Sequence, residues 1–129
     1  MAGKEMTGSV LNYIFAIETL SLEKASVRSV DVSKKTGVAR SSVCKAIDKL
    51  TDLGYARRDE KGEIKLTSLG ERVVGKYSIA VKAMADVFKE KFNLNEERAK
   101  AEAVRAVGAL SCDTVDKIVD AKQKEGVCR

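Results

Sequence analysis

Two stretches that are predicted to be helical lie on either side of a three-residue turn in the first third of the chain. Residues 29–35 form the first stretch, which Ser29 is predicted to cap, and residues 40–53 form the second. Thr36-Gly37-Val38 interrupts the pattern between them, because glycine tolerates the left-handed backbone of a tight helix exit. The apolar face of the second stretch consists of Val43, Ile47, Leu50 and Leu53. This pattern predicts a helix-turn-helix.

A different period follows the second helix. Residues 55–58 and 63–66 alternate between polar and apolar side chains, as strands do, and Asp59-Glu60-Lys61-Gly62 supplies the turn between them. Two short strands are marginal alone and need helices to pack against. The chain is therefore predicted to be mainly α, a winged helix-turn-helix with a small β-hairpin wing at about 55–66 and a recognition helix at about 40–53.

Further helices are predicted on both sides of this motif. Residues 10–20 have the spacing of a first amphipathic helix, and Thr67-Ser68 would cap a long helix over 69–92, with Gly75 as an imperfection inside it. A helix from Asn95 to about residue 110 and a last helix capped by Ser111 or Asp113 follow. The apolar stripe of the long helix runs through Leu69, Val73, Tyr77, Ala80, Val81, Met84, Val87, Phe88 and Phe92. We predict two parts, a winged helix-turn-helix at 1–67 and a helical region at 68–129.

Composition excludes several classes of function. The 129 residues contain no histidine, which excludes imidazole general-base catalysis, Ser-His and Cys-His nucleophile pairs and histidine-containing zinc sites. No run of about 18 apolar residues occurs, so no membrane span is expected, and the first residues lack the apolar core of a secretory signal. The cysteines, Cys44, Cys112 and Cys128, are an odd number at no metal-ligand spacing. Reduced thiols in a cytoplasmic protein are the simpler interpretation.

Positive charge is concentrated around the predicted helix-turn-helix. Residues 24–58 contain nine basic and three acidic residues, a net charge of +6, while the whole chain carries +5. Such a patch is typical of proteins that bind the phosphates of nucleic acids. The residues predicted to bind double-stranded DNA are Arg28, Arg40, Ser41, Ser42, Lys45, Lys49, Arg57, Arg58 and Lys61.

These residues are predicted to act in different ways. Arg40 and Lys45 would reach base edges, while Ser41 and Ser42 would hold phosphate at the positive end of the recognition helix. The wing residues 57, 58 and 61 would lie along the flanking backbone or minor groove. The plainer interpretation is that the serines only cap a helix and that the cations only form an ordinary hydrated surface.

Several motifs together resemble the diphtheria-toxin-repressor-like family of metal-dependent repressors. Residues 27–32, Val-Arg-Ser-Val-Asp-Val, resemble the start of its second helix, and residues 37–43, Gly-Val-Ala-Arg-Ser-Ser-Val, resemble its turn and recognition helix. Residues 50–54 and 62–70 are similar to its wing, a pattern that other winged-helix regulators share. Leu110-Ser111 followed by residues 113–116, Asp-Thr-Val-Asp, favours this family. The resemblance runs from about residue 11 to about residue 118.

The resemblance implies an assembly and a domain content. The C-terminal helices, with the first helix, would form a homodimer, which makes 68–129 a helical dimerisation region. A palindromic operator would mirror the two-fold axis of the dimer. The third, barrel-like domain of the longer family members is expected to be lacking.

The resemblance also implies metal ligands that are replaced in this chain. Family members bind divalent iron or manganese through carboxylates on the first helix, a histidine on the fourth and Glu-Glu-His-type residues on the fifth. The corresponding positions here are Asn12, Phe15, the neighbourhood of Lys82, Val104, Val107 and Gly108. We therefore predict no metal site and no cofactor.

What stands in place of the metal is open at this point. A packed apolar core is the default, and a pocket for an apolar ligand is the alternative. Cys44 inside the recognition helix is a third candidate, because oxidation there would disturb the approach of phosphate. The plainer interpretation of Cys44 is a small buried residue.

Two functions from different classes fit the sequence. The leading one is a homodimeric, sequence-specific DNA-binding transcription regulator, a repressor without a metal requirement. The alternative is a winged-helix module that binds protein, or nucleic acid without specificity, inside a larger transcription or chromatin assembly. An enzyme is not expected, because no nucleophile–base pair and no phosphate-cradling glycine loop is present.

Overall fold

A computed structural model describes residues 6–127. The elements follow the order α1 (Gly8–Glu23), α2 (Ser29–Thr36), α3 (Arg40–Leu53), β1 (Ala56–Arg58), β2 (Ile64–Leu66), α4 (Ser68–Phe92), α5 (Glu96–Ala109) and α6 (Cys112–Val127). The predicted fold class, mainly α with a small hairpin wing, is confirmed. Two compact units divide the described chain, residues 10–74 and residues 6–9 with 75–127. None of its helices combines the length and the apolar character needed to cross a membrane.

The core of the first unit is built from the apolar faces of its helices and one wing residue. The side chains with less than 2% exposure are Leu11, Ile14, Ile17, Val32, Val43, Ile47, Leu50 and Ile64. Burial of each such side chain contributes about 1.5–3 kcal/mol to stability. Because short helices are only marginally stable in isolation, this burial supplies most of the free energy that keeps them folded. This core determines which faces of α2 and α3 remain in solvent.

The predicted glycine turn joins α2 to α3. Gly37 has a φ of 78°, and its amide donates to the carbonyl oxygen of Ser33 at 2.8 Å. The Ser33 hydroxyl in turn donates to the carbonyl oxygen of Val38 at 2.6 Å. Positive φ is accessible to glycine without steric cost, so the turn is as tight as the sequence predicts.

The wing is an antiparallel pair with a longer loop than predicted. Ala56 pairs with Leu66, Arg57 with Lys65, and Arg58 with Ile64. Glu63, predicted to begin the second strand, instead lies in the loop, where its carbonyl oxygen accepts from the Asp59 amide at 3.0 Å. The Ile64 amide donates to the carbonyl oxygen of Val27 at 2.8 Å, which ties the hairpin to the segment before α2.

Helix caps agree only partly with prediction. Asn95 caps α5 by accepting from the Arg98 amide at 2.8 Å, and of the two candidates for α6 it is Ser111 that caps, accepting from the Thr114 amide at 3.2 Å. The prediction that Ser29 caps α2 is wrong. The N-cap is residue 28, whose amide donates to the Asp31 carboxylate at 2.9 Å, because the carboxylate is an equally good local acceptor.

The long helix α4 continues through Gly75 without a break, but its apolar stripe is only partly buried. Its buried residues include Val73, Tyr77, Ala80, Val81 and Ala85. Towards the C-terminal end the stripe reaches the surface, where Val87 is 39% and Phe92 64% exposed. Helical spacing places these residues on one side of the helix, yet spacing alone does not say how far along the helix a covering element extends.

In the second unit, the start of α1 approaches α5 through backbone atoms. A Cβ added at Gly108 would lie 2.3 Å from the Gly8 nitrogen and 2.5 Å from the Gly8 Cα. A Cβ added at Gly8 would meet only ordinary contacts, the nearest being the Arg105 Cα at 3.5 Å. Position 108 therefore requires glycine for space, whereas position 8 does not.

Gly108→Ala is expected to destabilise the protein by about 1–3 kcal/mol, because the new methyl group meets backbone that no rotamer change can move. Gly8→Ala is the matched control and is expected to leave the free energy of unfolding unchanged or slightly higher. Urea unfolding followed by circular dichroism measures both. Equal free energies of unfolding for the two variants would contradict the close approach.

In the first unit, the carboxyl groups of Glu18 on α1 and Glu71 on α4 share a hydrogen bond. Burial, followed by the charge of Glu71 and this hydrogen bond, raises the pKa of Glu18 above its ordinary value of 4.5. Because the pKa is higher in the folded state, the pair favours folding at low pH, and this contribution is lost as pH rises through the raised value.

Glu18→Gln is therefore expected to raise the urea midpoint at pH 7, since the amide still donates to Glu71 without carrying charge. The gain should shrink as pH falls through the raised pKa of Glu18 and should be lost below pH 4.5, where the wild-type carboxyl group is protonated in both the folded and the unfolded chain. Glu23→Gln removes the same charge from the same helix and serves as the control. A similar gain at pH 7 in the control would refute the assignment to the Glu18–Glu71 pair.

Candidate nucleic-acid interface

The solvent side of α3 carries all five residues predicted there. Arg40, Ser41, Ser42, Lys45 and Lys49 are exposed, while Val43, Ile47 and Leu50 on the opposite side are buried. Within residues 6–127, no carboxylate lies within salt-bridge distance of the three cations among them. The face therefore presents uncompensated positive charge to solvent.

The first turn of α3 has no side-chain cap. The N-cap is Ala39, so Ser41 and Ser42 do not cap the helix, contrary to the plainer interpretation of the sequence. The amide groups at the start of a helix lack intrahelical partners, and the helix dipole makes this end positive. Two exposed serine hydroxyls stand beside these amides.

The wing contributes three of the predicted residues, and all three are exposed: Arg57, Arg58 and Lys61. They are not equivalent. Arg58 Nη1 lies 3.3 Å from the Asp48 Oδ1 of α3, which neutralises part of its charge and links the wing to that helix. In the part of the chain that the structure describes, no carboxylate lies within salt-bridge distance of residues 57 and 61, although the charge of Lys61 is attracted to the nearby Asp59 carboxylate.

Sequence reasoning missed Lys65 on the wing. It is exposed and lies directly opposite Arg57 in the antiparallel register. Two like charges facing each other across strands are unfavourable unless an anion compensates them. With the predicted four-residue turn, Arg57 would lie opposite Ile64. The facing pair of Arg57 and Lys65 therefore becomes visible only when the loop has its actual length of five residues.

The ninth predicted residue, Arg28, lies at the N-cap of α2 and not on α3 or the wing. Its Nη1 donates to the carbonyl oxygen of Lys61, so the structure brings these two residues together. The neighbouring Lys24 counts in the basic window, but its ammonium group pairs with Asp31 at 2.6 Å. The hydrogen bond from Lys24, followed by that from the residue 28 amide, holds the pKa of Asp31 below its ordinary value.

Asp59 organises the wing turn and was also missed. Its Oδ1 accepts from the amides of Lys61 and Glu63, both at 2.9 Å. These backbone hydrogen bonds, with that from Glu63 the strongest, lower the pKa of Asp59. The sequence did contain a signal, because an aspartate that opens a glycine-containing turn commonly accepts from amides further along the turn.

The cysteines differ in their surroundings. Cys44 is half-buried on α3, with its Sγ 3.7 Å from the Ser29 Oγ, and Cys112 is exposed at the start of α6. Cys128 lies outside the described residues. The half-burial of Cys44 against α2 is compatible with a packing role.

The residues at the positions of the family's metal ligands do not fit a divalent cation. On α5, Val104 and Val107 are buried apolar side chains, and Gly108 has no space for any side chain. Divalent iron or manganese needs carboxylate, imidazole or comparable donors, and these three residues supply none. Within residues 6–127, no cluster of three or more potential donor side chains is suited to a metal.

The remaining two positions on α1 and that on α4 do not supply a site either. Asn12 is exposed and Phe15 half-buried, whereas the ammonium group of Lys82 lies 3.7 Å from Asp86 on its own helix. An amide, a phenyl ring and a protonated amine replace the carboxylates and the histidine. We therefore derive no role for a metal in this chain.

Comparison with known proteins supports the same family as the motifs. No family model matches the chain. It is 28% identical over 117 residues to the HTH-type transcriptional regulator MntR of Lysinibacillus sphaericus (strain C3-41). The aligned residues cover 91% of this chain and 84% of the relative.

Solved structures that match the fold include IdeR and MtsR. IdeR of T. acidophilum has a TM-score of 0.68 and 21% identity, covering 94% of this chain and 55% of that chain. The metal-dependent transcriptional regulator MtsR has a TM-score of 0.72 and 16% identity, covering 87% of this chain and 52% of that chain. This chain thus spans about half the length of both solved proteins. The predicted resemblance is confirmed: the chain is similar in sequence to MntR and shares the winged-helix fold of IdeR and MtsR.

Proposed function

We propose that the chain is a homodimeric, sequence-specific DNA-binding transcription regulator, a repressor, whose DNA binding does not need a metal. The observation that carries the proposal is the solvent face of α3, where Arg40, Lys45 and Lys49 are exposed without a carboxylate partner among residues 6–127. A relative of 28% identity is a transcriptional regulator, which supports the class of function. A cytoplasmic location and the absence of enzymatic activity are part of the same proposal.

The recognition helix α3 is proposed to enter the major groove. Arg40 and Lys45 would contact base edges, where arginine in particular can bind guanine with two hydrogen bonds. The exposed hydroxyls of Ser41 and Ser42 and the uncapped amides beside them would hold a phosphate, which fixes the register of the helix on the duplex.

The wing is proposed to lie along the flanking backbone or minor groove. Its exposed strand face carries Arg57 and Lys65 opposite each other, and Lys61 lies in the turn. A phosphate between two facing cations relieves their mutual repulsion, so this face favours an anionic partner. Arg58, paired with Asp48, would contribute less than its neighbours.

The helical region 68–129 is proposed to dimerise together with the first helix. The apolar surface at the end of α4, with Val87 and Phe92 exposed and Phe88 packed on Phe92 at a ring distance of 6.3 Å, supports this part of the proposal. A second copy covering these rings would remove apolar area from water. The two recognition helices would then read half-sites about one helical turn apart, or a multiple of that distance.

Metal independence rests on the chemistry of the α5 residues. Val104 and Val107 fill the space with apolar side chains, which supports the packed core over a metal centre. A pocket for an apolar ligand has less support, because both side chains are almost completely buried.

Substitutions on α3 and on the wing are expected to weaken DNA binding differently. Arg40→Ala or Lys45→Ala should cost about 1–3 kcal/mol on the preferred site and change sequence preference, because base contacts specify. Arg57→Ala or Lys61→Ala should weaken binding to all DNA sequences equally. Either substitution should also reduce the slope of log affinity against log salt concentration by about 1. Fluorescence anisotropy on a duplex selected from random sequences, at several salt concentrations, measures both effects.

Lys100→Ala on α5, which removes an exposed cation outside the proposed interface, is the control and should change neither quantity. Absence of duplex binding at low salt, or binding that depends only on duplex length, would overturn the proposal. A monomer in sedimentation with a weak salt slope would instead favour the protein-interaction module.

Removal of divalent metal is expected to leave DNA binding unchanged. Affinity for the selected duplex, measured after chelation and again with added manganese or ferrous iron, should agree within about twofold, because α5 offers no donor side chains. Sedimentation under the same conditions should give a dimer throughout. An affinity or a dimer population that rises on metal addition would refute metal independence.

A further inference from the structure

We propose that Arg28 is a positioning residue, which holds the wing turn against the start of α2 and thereby sets where Lys61 meets the DNA backbone. The inference rests on the proposed DNA-binding function and gives Arg28 a part in it different from direct contact. It follows from the contacts at the two ends of the residue, its backbone and its guanidinium group.

The guanidinium group packs on the backbone of the wing turn. Arg28 Nη1 donates a hydrogen bond to the carbonyl oxygen of Lys61. The same nitrogen lies 3.4 Å from the position that a Cβ on Gly62 would occupy, so it approaches that glycine closely. A charged donor on a carbonyl oxygen makes a stronger hydrogen bond than a neutral donor does.

The backbone of Arg28 is fixed independently by the first turn of α2. Its amide donates to Asp31 Oδ2 at 2.9 Å, and its carbonyl oxygen accepts from the amides of Asp31 and Val32 at 2.9 and 3.2 Å. Lys24 Nζ holds the other oxygen of the same carboxylate at 2.6 Å. The residue therefore starts from a well-ordered point on the helix-turn-helix.

Asp59 connects the residues of the wing turn by hydrogen bonds. Its carboxylate accepts from the amides of Lys61 and Glu63, and its carbonyl oxygen accepts from the Gly62 amide at 3.0 Å. These bonds shape the turn but do not say where it lies relative to α2. That placement comes from two contacts of the preceding segment, the hydrogen bond of Arg28 to Lys61 and that of the Val27 carbonyl oxygen with Ile64.

Placement matters because Lys61 is the cation of this turn. A wing free to swing would present the Lys61 ammonium group over a range of positions, and binding would have to order it. With the turn held on α2, the spacing between this ammonium group and the cations of α3 is set before DNA arrives. Arg28 thus acts through Lys61, and its effect on affinity should depend on the Lys61 side chain.

A double-mutant cycle tests this dependence, using Arg28→Gln, Lys61→Ala and the double variant of the full chain. Lys61→Ala removes the ammonium group and leaves the carbonyl oxygen that Arg28 binds. We expect Arg28→Gln to weaken binding to the selected duplex about fivefold in the wild-type background. The same substitution should weaken binding less than twofold when Lys61 is already alanine. Lys35→Gln on α2 removes the same charge without a wing contact and should have equal effects in both backgrounds.

Equal fold losses from Arg28→Gln in both backgrounds would overturn the proposal and assign Arg28 a direct DNA contact. Amide hydrogen exchange on the DNA-free protein gives a second readout, in which Arg28→Gln should raise exchange at residues 61–64 and Lys35→Gln should not. Unchanged exchange in Arg28→Gln also overturns the positioning role. Failure of the wild-type chain to bind any duplex would refute the proposed function instead. The hydrogen-exchange result would then still decide whether Arg28 positions the wing turn.

Discussion

Burial of one side of α3 is the constraint on which the candidate interface depends. Val43, Ile47 and Leu50 are at most 1% exposed, and together they fix the rotation of the helix about its own axis. Each contributes about 1.5–3 kcal/mol, far more than the weak repulsion among exposed cations. The positive face is therefore a by-product of core packing, and it needs no carboxylate partners to keep its orientation.

The wing obeys a second constraint, which is polar. Two strands of three residues each are too short to hold their place by packing alone. Buried Ala56 and Ile64 anchor the base, whereas backbone hydrogen bonds and the Asp59 carboxylate shape the tip. Hydrophobic burial thus orients the helix, and hydrogen bonds orient the hairpin that accompanies it.

These two constraints explain how much could be predicted from the sequence. Helix order, the Gly37 turn and the exposure of the α3 cations depend on residues close together in the chain, and the periodicity of apolar residues reports on them. The Ser29 cap was wrong because Asp31 offers a competing acceptor within the same turn. The loop length of the wing was wrong by one residue, and that error hid the facing pair of Arg57 and Lys65.

Contacts between distant parts of the chain could not be predicted. The hydrogen bond of Arg28 to Lys61 and the approach of Gly8 to Gly108 join residues that no periodic pattern relates. The direct DNA contacts of individual residues stay predictions, since an exposed cation looks the same whether it meets a phosphate, a base or water.

The approach of Gly8 to Gly108 has an evolutionary consequence. A donor side chain at position 108 would collide with backbone atoms of α1, and backbone cannot step aside as a flexible side chain can. A single substitution at that position therefore lowers the stability of the fold whether or not the new side chain can bind a ligand. Any larger residue there would require a compensating shift of the first turn of α1, so substitutions at position 108 are expected to be epistatic with substitutions in the segment that precedes Val10.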